Sequence, residues 1–307
     1  MSNKKIVSIR EAFGKELVEQ AKKNKKITVI SCDLKSACKL EEFFKKFPNR
    51  SFEIGIAEAN AIGIAAGISF QGFRPFVVSF GSFISGKNTE IRNTISYNNA
   101  PVVIVGTHSG LIGSDGATQS ALQDIAIMSS LEGFEVFQPC SELDTKLILK
   151  YVCNSKKPVY LRISRNEINE FLPKKYKFHV GKPFEIIKAK NKQILVVSSG
   201  AMVSNCYNAI QNLKANHIGL LNISSIKPLN KKSVINILKK YKKIIVVEDH
   251  YIYGGLGSII SEIIASAQLN TKFINHGLKE GFINSDIPEN LEKIYKLDVK
   301  SLEKIFK

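Results

Sequence analysis

No stretch of this 307-residue chain approaches the roughly 20 consecutive apolar residues that a membrane span requires. Nor does an apolar stretch follow the lysines of Met1-Ser-Asn-Lys-Lys-Ile-Val-Ser, so a cytoplasmic protein is the expectation. Cysteine is scarce: Cys32, Cys38, Cys140, Cys153 and Cys206 are odd in number and nowhere spaced as Cys-x-x-Cys. Neither a disulfide framework nor a zinc site is suggested, and buried thiols are the simpler reading. Internal repeats and low-complexity tracts are absent as well. Acidic residues are few beside basic ones, 27 against 44, for a net charge of +17. A charge of that sign suits nucleic acid, a membrane surface, anionic substrates or an acidic partner. The lysines, however, are spread along the chain in short runs such as Lys22-Lys23-Asn24-Lys25-Lys26, Lys174-Lys175 and Lys239-Lys240. They lack the interleaved aromatics of single-strand binders, so nucleic acid and membrane are not the expected partners.

What is present is ordinary globular composition, 44% apolar and 23% charged, in a chain longer than one core usually serves. Apolar residues at helical spacing from Glu11 to Lys22 precede a buried strand, Ile27-Thr-Val-Ile-Ser31. The alternation continues with a helix from near Glu58, strand Phe76–Ser79, helix Thr89–Tyr97 and strand Val102–Val105. Helix Ala121–Met128, strand Phe134–Phe137, helix Leu143–Cys153 and strand Val159–Arg162 follow. Short apolar runs between helices predict a parallel sheet covered on both faces. From Arg165 to Phe184 the pattern breaks into polar and basic residues with Pro173 and Pro183, and it restarts with strands at 194–198, 218–222 and 244–247. The expected fold is α/β with two doubly wound domains, residues 1–170 and a smaller 185–307, joined by a linker at 171–184.

Four segments could carry chemistry. In Phe52-Glu-Ile-Gly-Ile-Ala-Glu-Ala-Asn-Ala-Ile-Gly-Ile-Ala-Ala-Gly67 a strand ends at a turn, and Glu58 opens a helix of small residues suited to a close interface. An acid at a helix start can simply serve the dipole. In Arg74-Pro-Phe-Val-Val-Ser-Phe80-Gly-Ser-Phe83 two phenylalanines follow a strand end and precede a helix containing Arg92; they could equally be core. The loop Gly106-Thr-His-Ser-Gly-Leu-Ile-Gly-Ser-Asp-Gly-Ala-Thr-Gln119 follows a buried strand, where open α/β sheets place ligands, although His108 and Asp115 could also be turn residues. Tyr160-Leu-Arg-Ile-Ser-Arg165 ends the last strand with a guanidinium suited to phosphate, or merely solvated. Farther on, Gly254-Gly255-Leu256-Gly257 leads from a strand into a helix without the spacing of a dinucleotide fingerprint or a P-loop, and reads as structural, as does His250.

Taken in order from about Ser8 to about Gly277, these segments resemble the pyrimidine-binding and C-terminal domains of transketolases. The resemblance implies a two-carbon ketol transfer from a ketose phosphate donor to an aldose phosphate acceptor through a thiamine diphosphate ylide, in carbohydrate metabolism of the pentose phosphate kind. By it, Glu58 is the catalytic acid that hydrogen-bonds N1′ of the aminopyrimidine and favours the imino tautomer, a role that desolvation would assist by raising its pKa. Phe80 and Phe83 wall the pyrimidine ring, and His108, catalytic as well as substrate-binding, handles the sugar and its phosphate together with Asp115 and Arg165. Where the family shows Thr-His-Gln, this chain has Thr118-Gln119-Ser120. Gln119 can hydrogen-bond a sugar hydroxyl but cannot change charge near neutral pH.

The Gly-Asp-Gly motif through which thiamine enzymes hold Mg²⁺ and diphosphate is absent. The resemblance therefore implies an N-terminal partner subunit that binds Mg²⁺ and the diphosphate. The two kinds of chain would form a heterotetramer, with a homodimer contact through the pyrimidine-binding domain. Three rivals stay open: 1-deoxy-D-xylulose-5-phosphate synthase, the β subunit of a 2-oxoacid dehydrogenase, and a non-catalytic regulatory subunit. Thr107-His108 speaks against the first, the stretch from Gly113 to Thr118 against the second, and an intact Glu58 against the third.

Overall fold

The computed structural model describes residues 6–307. The hydroxyl of Ser8, which ends β1 (Ile6–Ser8), accepts from the Glu11 amide and starts α1 (Ile9–Lys23). β2 (Ile27–Ser31), α2 (Glu41–Lys46), β3 (Ser51–Glu53), α3 (Glu58–Phe70), β4 (Arg74–Phe80), α4 (Gly81–Ser85) and α5 (Asn88–Glu90) follow. Then come β5 (Val103–Ser109), α6 (Asp124–Ser129), β6 (Glu135–Phe137), α7 (Glu142–Val152), β7 (Val159–Ser164) and β8 (Glu167–Asn169). β2 to β7 are parallel neighbours in the order β6-β7-β5-β4-β2-β3. Their side chains alternate between two apolar layers. Val103, Val105, Phe76 and Val78 pack with Leu17 and Val18 of α1, whereas Ile104 and Val77 pack with Ala61, Ile62 and Ala65 of α3. Burial on both faces is what allows the uninterrupted apolar runs.

The second sheet is built from β9 (Phe184–Ile187), β10 (Ile194–Ser198), β11 (Ile218–Asn222), β13 (Lys243–Tyr251) and β14 (Lys272–Leu278). Its order is β14-β13-β10-β11-β9, with β9 antiparallel. α8 (Met202–Leu213), α9 (Lys231–Leu238), α10 (Leu256–Ser266), α11 (Pro288–Ile294) and α12 (Val299–Phe306) accompany it. The two halves are not separate in their pairing, because β12 (Ser225–Lys227), from the second half, adds to the first sheet antiparallel to β6. Just before the expected linker at 171–184, β8 pairs with β1, and within it Tyr176 is buried with its hydroxyl donating to Asp144 Oδ1 at 2.8 Å.

Two expected helices differ. The one expected from Ala121 starts only at Asp124, because Ala121 is drawn into a bridge with Ser109 and its carbonyl accepts from the Gly110 amide at 3.0 Å. The one expected over 89–97 is α5 followed by a π-helical turn, Ile91–Ser96, which buries Ile91 and Ile95. All five cysteines are buried as free thiols.

Candidate active site at the carboxyl edge of the first sheet

Parallel strands β4 and β5 end side by side, with Phe80 paired in register with Thr107. Their carboxyl ends therefore present Ser79, Phe80, Thr107 and His108 to one edge, the edge where open α/β sheets bind ligands. Phe80 and Phe83 are half-buried rather than core; their rings stack with centroids 5.4 Å apart, and Phe80 also stacks on His108 at 3.9 Å. Glu58 is the first residue of α3 but does not cap it, since the N-cap is Ala57 and no side chain serves there. Its carboxylate, 6% exposed, points across the sheet edge and accepts from Ser79 Oγ at 2.8 Å. The burial and direction of Glu58 are therefore set by β4, next to the phenylalanine pair.

A cavity of about 550 Å³ opens beside Phe80 and brings together His108, Asp115, Gln119 and Arg165, with Arg10 and Ala37 completing the wall. Arg165 Nη1 pairs with Asp115 Oδ2 at 2.6 Å, both side chains 36% exposed, and so joins the loop after β7 to the loop after β5. Gln119 is fixed through its backbone, whose carbonyl accepts from Ser82 Oγ at 2.8 Å. Gln119 also lines the cavity, and its side chain carries both a donor and an acceptor. Glu58 and Phe83 do not line the cavity, although each lies one contact from Phe80 or Ser79. Arg92 sits apart, exposed, with its Nε donating to Asn93.

His108 is held in the left-handed region at φ 54° between two partners, Arg10 Nη1 at 3.1 Å from Nε2 and Thr107 Oγ1 at 3.0 Å from Nδ1. A guanidinium can only donate, so Nε2 must accept and the proton sits on Nδ1. Burial, then Arg10 and Arg165, push the imidazole pKa down to about 3, so the ring is neutral throughout the physiological range. Burial and the neighbouring Arg165 likewise lower Arg10. Among the lining residues two guanidiniums stand against one carboxylate, an arrangement that an incoming anion would relieve.

One consequence can be measured. An unfolded chain protonates histidine near pH 6.5 whereas folded His108 resists until about pH 3. Between those values the unfolded state binds more protons, so stability declines as the pH falls through the window. His108→Gln is expected to flatten the fall in thermal midpoint from about pH 7 to about pH 5. His250 and His276, lowered mainly by burial, remain in both proteins, so the difference isolates His108. Equal slopes for wild type and variant would contradict this reading.

Three features escaped the sequence. Arg10 lies 98 residues from His108 with no local signal of its role, and Ser79 is one serine in an apolar strand. The third is a fully buried bridge in which Arg162 pairs with Asp124 at 2.9 Å and Asp249 at 2.8 Å. The glycine-rich turn before α10 is filled from within: Glu248 accepts from the amides of Leu256 at 2.7 Å and Gly257 at 3.0 Å, occupying the helix start where a phosphate would otherwise sit. His250 is fully buried, its Nδ1 donating to the Tyr251 carbonyl.

The donor set suits a flat heteroaromatic group, with a buried acid beside stacked rings, and an anion next to it. Among the described residues no group of three His, Cys, Asp or Glu could hold a metal ion, and no helix is long and apolar enough to cross a membrane. Residues 5–170 match the family model "Transketolase, pyrimidine binding domain" and residues 185–302 match "Transketolase, C-terminal domain". Fold and matches define a thiamine-dependent enzyme fold.

The chain belongs to the transketolase family and corresponds to its C-terminal section. A "putative transketolase C-terminal section" of Methanocaldococcus jannaschii is 36% identical over 305 residues, covering 96% of this chain and 94% of that protein. The 1-deoxy-D-xylulose-5-phosphate synthase of Clostridium tetani is 31% identical over 302 residues; the match takes in 98% of this chain but only 48% of the synthase, so the chain spans about half of that relative. A solved structure described as "split gene transketolase, inactive beta4 tetramer" superposes with a TM-score of 0.88 at 30% identity, covering 97% of this chain and 96% of that one. The transketolase of Campylobacter jejuni shares the fold, with a TM-score of 0.84 at 18% identity, over 98% of this chain and 46% of its own length.

Proposed function

We propose that this chain is the C-terminal subunit of a two-subunit transketolase, whose partner holds the diphosphate and Mg²⁺ and whose sites form between the two chains. Residues 1–170 act as the pyrimidine-binding domain and 185–307 as the C-terminal domain. The observation that carries the reading is the juxtaposition of the Glu58–Ser79 and Phe80–Phe83 pairs with a cavity bearing Arg10, His108 and Arg165. It offers a ring seat and an anion seat side by side, with Phe80 common to both. Thiamine diphosphate, when bound, supplies the carbon nucleophile and the electron sink.

This chain's residues do the rest. Glu58, oriented by Ser79, shares a proton with the pyrimidine nitrogen, and Phe80 and Phe83 fix the ring's plane and keep water from it. Arg10 and Arg165 clamp the sugar phosphate, two planar forks against one dianion. Neutral His108 holds Arg10 in place from Nε2, and Asp115 steadies Arg165. Gln119 offers a hydrogen bond to a sugar hydroxyl at a position that cannot change charge, so the transfer does not depend on a titrating group there.

A second reading, as in 1-deoxy-D-xylulose-5-phosphate synthase, in which pyruvate would lose CO2 and its remaining two-carbon unit would be passed to an aldehyde, is favoured by the 31% identity to such a synthase over nearly the whole chain. The deciding experiment mixes this chain with the diphosphate-binding chain, thiamine diphosphate and Mg²⁺, and offers either a ketose phosphate or pyruvate as donor. Ketol transfer by the mixture and by neither chain alone is the expected result. Turnover of pyruvate instead would select the synthase reading. No turnover of either donor by a stable complex would leave a regulatory subunit.

A further inference from the structure

The two loops that carry the Asp115–Arg165 pair are both held from outside the first sheet. Ser285 Oγ donates to the Ser114 carbonyl at 2.6 Å, next to Asp115. Gly113, at φ 103°, lies so close to the following segment that a side chain there would come within 2.9 Å of the Pro288 ring. On the other loop, Asn166, the neighbour of Arg165, donates from Nδ2 to Glu292 Oε1 at 3.2 Å, while its backbone amide donates to Ser164 Oγ at 3.1 Å. Asn205 of α8 donates to the second oxygen of Glu292 at 3.0 Å and to the Leu297 carbonyl at 3.1 Å. The Glu292 carboxylate therefore spans a rigid helix of the second half and the arginine loop of the first.

We propose that Glu292 is a positioning residue for the anion site: through Asn166 it fixes the loop that aims Arg165 into the cavity, with Ser285 and Pro288 doing the same for the Asp115 loop. The inference rests on the proposed reading of that cavity as an anion seat. A guanidinium fork binds phosphate through directed hydrogen bonds, so a displaced loop loses affinity even though the charge remains. Glu292 contacts no cavity atom and acts only through Asn166.

The test titrates the full chain with inorganic phosphate by calorimetry and records a thermal midpoint for each protein. Wild type is expected to bind saturably, Arg165→Ala to lose binding, and Glu292→Ala to bind about tenfold more weakly, as for loss of one hydrogen bond to a charged group. Glu292→Gln keeps one acceptor oxygen for Asn205 and bridges both asparagines once the Asn166 amide turns its Oδ1 toward the new Nε2, so it is expected to restore affinity to within about twofold. If Glu292→Ala fails to fold, Asn166→Ala carries the same expectation while leaving the Asn205–Glu292 contact intact. Wild-type affinity in these variants, with or without a lowered thermal midpoint, would overturn the inference and reduce Glu292 to packing, while Arg165→Ala would still report on the anion seat. No saturable phosphate binding by wild type, or unaltered binding by Arg165→Ala, would overturn the anion seat and the inference with it.

Discussion

Glu58→Gln, assayed with the diphosphate-binding partner, thiamine diphosphate and Mg²⁺, is expected to lower turnover by roughly 10²–10⁴-fold, the usual share of a positioned acid or base. Assembly and thermal midpoint should change little. Glutamine keeps the volume and a carbonyl oxygen, so Ser79 Oγ can still donate across the 2.8 Å contact and the start of α3 stays in place. What disappears is an oxygen able to give and take a proton. A purely structural Glu58 would behave in the opposite way. An acid in the first turn of a helix is worth typically about 0.3–1 kcal/mol through the dipole, so its loss would show in stability and not in rate. Turnover within a few-fold of wild type would remove Glu58 from the mechanism. Loss of assembly without loss of fold would instead locate it in the contact between chains.

How much of this was legible in advance depended on how local each cause is. The strand and helix alternation shows because the central strands β2, β4, β5 and β7 are buried on both faces along almost their whole length, which leaves short runs rich in apolar residues. Glu58 and Phe80 show because a turn at the end of a parallel strand leaves a recognisable local pattern. β14 does not: Lys272-Phe-Ile-Asn-His-Gly-Leu278 is an edge strand of mixed polarity, half exposed, and resembles a loop in composition. β12 is three residues long and pairs with a strand nearly ninety positions earlier, a choice no window can foresee. The same holds for Arg10, set beside His108 only by the closing of the fold, and for Ala121, whose helical surroundings lose to a bridge with Ser109.

The buried bridge at the back of the site yields the largest expected effect on stability. Arg162 lies on β7, three residues before Arg165, and is fully buried between Asp124 of α6 and Asp249 of β13, with the Ala121 and Asp249 carbonyls also accepting from its Nη2 at 3.1 Å. Tyr160 donates to Asp124 as well, at 2.7 Å. Burial disfavours the guanidinium charge, but Asp124 and then Asp249 outweigh it and raise the pKa, so the arginine is charged at any pH at which the protein folds. Arg162→Met keeps the volume and removes the charge, leaving two buried carboxylates facing one another without a cation. The expected cost is about 3–5 kcal/mol, read as a fall in the urea midpoint. Gly110 links this to function: at φ 88° it packs so tightly against Asp249 that a side chain would come within 2.0 Å of Oδ2, so a displaced Asp249 moves the start of the loop that follows His108 and the end of β5. Adding Asp124→Asn and Asp249→Asn to Arg162→Met removes the stranded charges and should recover much of the loss, since buried ion pairs replaced as a set are often close to neutral. A single variant as stable as wild type would mean that water reaches the carboxylates and that the two halves are held by their other contacts, the β12–β6 pairing among them. A triple variant no better than the single would mean that the arginine's hydrogen bonds to Ala121 and Asp249, rather than its charge, join β7 to β13.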